Sequence, residues 1–309
     1  MQIGWREYIK RRFTKASSYH SVGIEYGINE LHIATLQRLN GELTWVKQHK
    51  IIGADWAAQL SIYVKQQHLE NTQCYVSLSL AKYQLLQLDK PQVLASEITQ
   101  ALQWTVKEQL ATDEELAIDY FDLPAAPANA KKLNVVALGK QELRLLRDAV
   151  LGAGLQLAGI TIEELSNCNL LEANDQAAIV LYQNVGEQIS LNIVKNGLLY
   201  FSRRLRGYEN LASFSAQELQ LGIADNLALE IQRSMDYFES QLRQAPIKQV
   251  YLSLDTLYQA ELTELIKALI FINVSDLKPS IKHKEDLIFS TQVYASIGAA
   301  MENVSEIAR

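Results

Sequence analysis

The 309-residue chain is poor in the signatures that announce an enzyme or a membrane protein. No Gly-x-x-x-x-Gly-Lys-Ser/Thr phosphate loop occurs, and no Gly-x-Ser-x-Gly nucleophile elbow. The five histidines, at 20, 32, 49, 68 and 283, form no metal-ligand spacing, so no metal site is expected. The two cysteines, Cys74 and Cys168, lie far apart in apolar-patterned segments and read as buried free thiols, a usage that suits a reducing compartment. No apolar run approaches the ~20 residues of a membrane span, and the first residues lack the apolar core of a signal peptide. A cationic surplus is also missing. The net charge of −6 argues against nucleic acid as a partner, because binding phosphate backbones needs a basic surface.

What is present is an ordinary globular composition, 48% hydrophobic and 21% charged, enough to build a core. The length corresponds to roughly two domains of ~150 residues. Residues 1–20 differ from the rest. Arg6, Lys10, Arg11, Arg12 and Lys15 oppose only Glu7, and Trp5, Ile9 and Phe13 recur beside them at helical spacing. This segment reads either as a solvated tail with one docked tryptophan or as a basic amphipathic stretch for an anionic membrane surface. Trp5, Arg6, Lys10, Arg11 and Arg12 would then make the contact.

Three strand-like segments follow in quick succession at 21–26, 31–39 and 43–51, the last two joined by Asn40-Gly41, a strong hairpin signal. A helix at 56–69 and a strand at 74–80 complete a β-β-β-α-β order that a simple alternating α/β unit lacks. From 83 to 163 the pattern is a separate α+β one: strands at 83–88, 118–123, 133–138 and 155–162, and helices at 96–110 and 141–152. Ser96 stands at the start of the first helix as a cap, with Ile98, Leu102, Val106 and Leu110 on one stripe. A short helix at 163–173 leads into the second half. There, strands at 177–182, 189–195 and 198–205, with Asn196-Gly197 between the last two, repeat the opening. A long helix at 216–244 follows, whose stripe Ile223, Leu227, Ile231, Met235, Phe238 and Leu242 keeps helical spacing, with a coiled coil as the other reading. A strand at 249–254, a helix at 257–269, a strand at 271–274 and a last helix at 291–301 close the chain. The duplicated β-β-β-α-β-α unit predicts an α/β protein of two related lobes facing a cleft. The expected division is a first lobe at 21–176, with an inserted subdomain at about 83–163, and a second lobe at 177–309, with a long-helix subdomain at about 210–285.

Several segments resemble a known family. Gly23-Ile24-Glu25-Tyr26-Gly27 followed by Leu31-His32-Ile33-Ala34 is similar to the opening of PilM-type proteins, which reads Gly-Ile-Asp-Ile-Gly before a second strand. Residues 101–108 through 118–120 resemble the inserted subdomain of these proteins, and 145–155 its second helix and turn. Glu230-Ile231-Gln232-Arg233-Ser234-Met235-Asp236-Tyr237-Phe238 resembles a Glu-x-x-Arg-Ser-x-x-x-Phe pattern on their long helix. The order holds over about residues 20–303. The chain thus resembles the PilM-like, actin-like family of type IV pilus assembly, and within it the MshI-type branch of the mannose-sensitive haemagglutinin (MSHA) pilus. The resemblance implies an actin-like fold of the actin, Hsp70 and sugar-kinase plan, with an inserted α+β subdomain of the FtsA/PilM type. It also implies a place at the cytoplasmic face of the inner membrane. There the chain would bind the cytoplasmic tail of a PilN- or MshJ-like bitopic protein and link it to the pilus assembly ATPase. Tyr83, Leu85, Trp104 and Tyr120 are the insert's candidates for a partner groove, with core packing as the other reading of each.

In this family two hairpin turns clasp nucleotide phosphates, and an aspartate orients hydrated Mg²⁺. Here Gly27 is kept, but Glu25 stands where aspartate is usual, and Ile28, Asn29 and Glu30 replace small hydroxyl residues. In the second turn Asn184 replaces an aspartate, and Glu187 follows Gly186. The stretch 252–256 has no glycine where the adenosine motif is glycine-rich. The remnants Glu25, Gly27, Asn29, Asn184 and Gly186 therefore describe a degenerate site, and a scaffold without ATP hydrolysis is expected. An active ATPase binding ATP with Mg²⁺ and a sugar-kinase-like enzyme are the rival readings. The latter lacks both its catalytic aspartate and its glycine-rich loop. Arg203-Arg204-Leu205-Arg206 reads either as a charged strand end or as a contact for an anionic partner.

Overall fold

A computed structural model describes residues 17–125, 127 and 132–302. The basic segment with Trp5, Arg6, Lys10, Arg11 and Arg12 lies outside them.

The first unit is built on strands β1 (Ser21–Tyr26), β2 (Glu30–Leu39) and β3 (Glu42–Ile52), helix α1 (Trp56–Gln66) and strand β4 (Gln73–Leu78). Asn40 and Gly41 both take positive φ, 52° and 86°. That geometry matches the twist of the flanking strands and fixes the β2–β3 register. An insert follows: β5 (Gln84–Asp89), α2 (Ile98–Leu110), β6 (Leu116–Asp122) and β7 (Lys132–Gly139), with strand order β5-β7-β6. Helix α2 buries Ile98, Leu102 and Val106 against Leu133, Val135 and Ala137, the stripe its spacing predicts. Ser96 does not cap it; it sits in a 3₁₀ turn, Ala95–Glu97, that runs straight into the helix.

The insert is shorter than 83–163. After α3 (Lys140–Gly152), β8 (Gln156–Ile162) runs parallel to β4 and joins the main sheet. Helix α4 (Glu163–Cys168) stops at Cys168 rather than near 173.

The second unit repeats the first. Strands β9 (Ala178–Tyr182), β10 (Ile189–Lys195) and β11 (Leu198–Leu205) lead to β12 (Gln249–Ser253), α7 (Gln259–Ile270) and β13 (Asn273–Asp276). Its order, β11-β10-β9-β12-β13, mirrors β3-β2-β1-β4-β8 of the first sheet, and Asn196-Gly197 makes the equivalent positive-φ turn. The predicted long helix is broken. A capped turn, α5 (Ala216–Glu218), passes through a wide turn, Leu219–Ile223, before α6 (Ala224–Ser240). The break falls at Leu221 and Gly222, whose φ of 119° glycine adopts without strain. The motif around Glu230 is structural: Glu230 pairs with Arg203 and Arg233 at 2.8 Å each, and Phe238 is fully buried.

The chain end departs most from the expected division. Strand β14 (Lys282–His283) adds to the edge of the first sheet beside β3, and helix α8 (Thr291–Ala300) packs on β1, β2 and β4. Residues 282–300 therefore complete the first sheet's layers rather than the second lobe. A shared apolar cluster results, in which Trp45, Leu36, Cys168, Val180, Tyr182, Tyr294 and Ile297 meet from both halves. Both cysteines are buried and free.

Helix α8 approaches too closely for side chains at two points. A methyl group on Gly23 would meet the Ser296 carbonyl oxygen, and one on Gly298 the Ser166 carbonyl oxygen. Neither backbone atom can move without shifting its element. Gly298→Ala should therefore lower unfolding free energy by about 3 kcal/mol, the upper end of overpacking costs. Gly152→Ala, which meets nothing within 4 Å, should change it by less than ~1 kcal/mol. Denaturant titration of both variants measures the difference.

Candidate functional site

The two hairpin turns expected to face each other do so. The end of β1 with its turn and the end of β9 with its turn border a cleft of about 550 Å³, lined among others by Glu25, Gly27, Glu30, Asn184, Gly186 and Glu187. Asn29 is not among the lining residues; it is exposed and takes φ 57° at the back of the turn.

The cleft is internally bonded. Asn184 Nδ2 donates to Glu25 Oε1 at 2.7 Å and to Glu163 Oε2 at 3.1 Å, while the Tyr182 hydroxyl donates to Asn184 Oδ1 at 2.8 Å. One amide thus joins β1, α4 and β9. On the other side, Arg204 Nη1 donates to the Leu80 carbonyl at 3.2 Å, its Nη2 lies 3.5 Å from Glu164 Oε1, and its guanidinium stacks over the Tyr83 ring at 5.0 Å. Tyr83 is sealed inside and donates its hydroxyl to Glu164. The basic cluster therefore splits by strand alternation. Arg203 turns to Glu230 on α6, while Arg204 and Arg206 face the cleft.

Sequence reasoning missed Glu163 and Glu164, both fully buried at the first turn of α4. Their one signal is a pair of acids where an apolar strand passes into a helix.

Burial, reinforced by the like charges of Glu187 and Glu30 against the Asn184 hydrogen bond, pushes the Glu25 carboxyl up to about 8. Burial first, then Glu187, Glu25 and Glu164, raises Glu163 well above the usual carboxylate range, and burial also raises Glu187. Glu30 behaves differently. Its burial is outweighed by Lys50 at 2.8 Å and His32 at 3.0 Å, and it stays ionised.

These residues do not fit a magnesium-bound triphosphate. The backbone donors of both turn glycines are already used, Gly27 N–H by the Glu30 carbonyl and Gly186 N–H by the Asp255 carboxylate. An ionised Glu30 beside a phosphate at ~4 Å would cost up to about 4 kcal/mol at an effective dielectric of ~20, less the share that its partner Lys50 offsets. Among the described residues no group of three or more His, Cys, Asp or Glu could hold a metal ion.

The overall arrangement of the chain also occurs in solved structures. A chain of the PilM–PilN type IV pilus biogenesis complex superposes with a TM-score of 0.64 at 16% identity, covering 93% of this chain and 99% of that one. The fold is actin-like. The cytoplasmic domain of EpsL, an inner-membrane component of the type II secretion system of Vibrio cholerae, superposes with a TM-score of 0.50 at 11% identity over 94% of this chain and 95% of its own. The sequence matches no protein-family model and no curated protein at a significant level.

Within this actin-like fold a second depression, of about 370 Å³, opens between the insert and the first sheet. Leu78, Ile118, Tyr120, Leu138, Leu143 and Ile160 are among its mostly apolar lining. Strands β6 and β8, each the edge of its sheet, both contribute to its walls. Of the four partner-groove candidates, Tyr120 lines it. Tyr83 belongs to the buried cleft network, Leu85 packs half-buried on the first lobe's core, and Trp104 projects into solvent, 77% exposed, from the outer face of α2. No helix among the described residues is long and apolar enough to cross a membrane.

The raised carboxyls make stability depend on pH. Glu25 binds its proton more tightly folded than unfolded. Its contribution is thus complete below the unfolded value of 4.5 and is lost as pH rises through about 8. Wild-type unfolding free energy should fall between pH 5 and pH 8 by up to ~4 kcal/mol. Glu25→Gln should flatten that slope and leave the variant more stable than wild type at pH 8, as followed by denaturant titration across the range.

Proposed function

We propose that this chain is a PilM-like scaffold of type IV pilus assembly. On this reading it docks the cytoplasmic tail of a PilN-like bitopic inner-membrane protein and turns over no nucleotide. The observation that carries the reading is the contrast between its two depressions. The cleft where the fold places nucleotide is lined by carboxyl groups that hydrogen-bond within the chain, with the Gly27 and Gly186 N–H groups already bonded, while the groove beside it is mostly apolar and flanked by two unpaired strand edges. An extended peptide suits such a groove, because strand edges satisfy its backbone and apolar walls take alternate side chains. The PilM–PilN neighbour, matched over nearly the whole of both chains, supports a PilN-like tail as that peptide. The divergent turns favour the MshI-type branch, with a MshJ-like partner, and the complex would sit at the cytoplasmic face of the inner membrane beside the assembly ATPase. The likeness to the cytoplasmic domain of EpsL, an inner-membrane component of a secretion system, supports a place at that membrane.

The test is calorimetric. A synthetic PilN- or MshJ-type tail should bind, and Leu143→Arg, at the half-buried groove wall, should weaken it about tenfold or more, or at least ~1.4 kcal/mol. Mg-ATP should give no binding tighter than about 10 μM, roughly −7 kcal/mol. Binding of ATP at that level, or failure of every such tail, overturns the reading.

A further inference from the structure

The cleft network and the groove share one short piece of chain. In the segment from 162 to 165, Ile162 and Leu165 line the groove, while Glu163 and Glu164 between them turn to the opposite side and take the contacts of Asn184 and Arg204. The end of β4 does the same. Leu78 lines the groove, whereas Ser79 and Leu80 line the cleft, and the Leu80 carbonyl accepts from Arg204. Asn184 and Arg204 both belong to the second lobe, and Glu25, Leu80, Glu163 and Glu164 to the first. The amide of Asn184 is fully used, both hydrogens donated across the cleft and its oxygen accepting from Tyr182. The same Tyr182 hydroxyl lies 2.6 Å from the carbonyl of Thr291, the first residue of α8, so its single proton is shared between these two acceptors. These are contacts between lobes made by the chain's own side chains where the fold leaves room for a ligand.

We propose that Asn184 and Arg204 form a tie that holds the two lobes closed with no nucleotide present, and that this tie sets the position of the groove wall at Ile162 and Leu165. The groove's part rests on the docking reading above; the tie itself does not. The Asn184 amide supplies the two hydrogens that the Glu25 and Glu163 carboxyl oxygens accept. Replacing it by a carboxylate removes two donors and sets a third acid against Glu25 and Glu163. Opening the lobes would take Asn184 and Arg204 away from Glu163 and Glu164, and the backbone at 163–164, no longer held, would shift together with Ile162 and Leu165 on either side. The tail and the tie are then linked, and each favours the same closed state.

The experiment measures the distance between lobes in the full chain. Ile62→Cys on α1 and Leu257→Cys before α7 are exposed labelling sites, and the native Cys74 and Cys168 are buried and out of reach of spin labels. Pulsed electron paramagnetic resonance should give one narrow distance in the Asn184 parent, unchanged by Mg-ATP. Asn184→Asp should add a longer, broader population and weaken tail binding roughly 5- to 10-fold. The pair Asn184→Asp with Glu25→Gln exchanges donor and acceptor across the cleft, and it should restore the narrow distance. Restoration is not expected if Asn184 only packs. Arg204→Gln, which removes the second contact without adding charge, serves as an independent variant should Asn184→Asp fold poorly, and it too should broaden the distribution. An unchanged distance in both variants, or two populations in the parent, overturns the tie. A broadened distance with undiminished tail affinity overturns the link to the groove. A parent protein that binds no tail refutes the docking reading and the groove's part with it, while the distances still decide the tie.

Discussion

Helix α8 lies against β1 and α4 with glycine at both points of closest approach, and much of the architecture follows from that packing. Without side chains at Gly23 and Gly298, the helix backbone rests on the backbones of both neighbours. Ser21 donates to the Ala300 carbonyl at 2.6 Å and Asn169 to the Gly298 carbonyl at 3.0 Å, so the seam is bonded as well as packed. Helix α8 comes after the whole second lobe, so seating it on the first sheet brings the two lobes together around one apolar cluster. The first turn of α4 is fixed by the same contact, which places Glu163 and Glu164 at the back of the cleft.

On the proposed reading, the cleft is a ligand site converted to internal bonding. An actin-like fold brings two glycine-bearing turns together, and their backbone N–H groups need acceptors whether or not a phosphate is present. Here the Glu30 carbonyl takes the N–H of Gly27 and the Asp255 carboxylate that of Gly186. Burial and mutual repulsion raise the carboxyl groups of Glu25, Glu163 and Glu187, which favours their protonated forms. Arg204 offsets Glu164 and is held in turn by Tyr83.

Legibility differed sharply from residue to residue. Asn40-Gly41 and Asn196-Gly197 announced their hairpins because a tight turn with positive φ depends on the two residues in it. The stripe on α2 was legible because its partners lie within a small subdomain. The break at Gly222 was not, because the apolar spacing runs on through it while the backbone does not. The two-residue strand β14 carries no periodicity at all and exists only because β3 offers it an edge. Tyr83 and Trp104 looked alike as aromatic residues of an insert, yet one is sealed in the cleft and the other stands in solvent.

The sequence by itself determined the doubled β-β-β-α-β order, the actin-like plan with its insert, and the substitution of Glu25, Glu30, Asn184 and Glu187 into turns that would otherwise suit phosphate. Those features depend on residue type and on neighbours a few positions away. Only the tertiary structure decided that Asn184 meets Glu25 across 159 residues of chain, that α8 returns to the first sheet, and that Glu163 and Glu164 meet Asn184 and Arg204 while Ile162 and Leu165 on either side line the groove. Such pairings are set by how the chain closes back on itself, and loop closure over that distance leaves no periodic trace in the residues between.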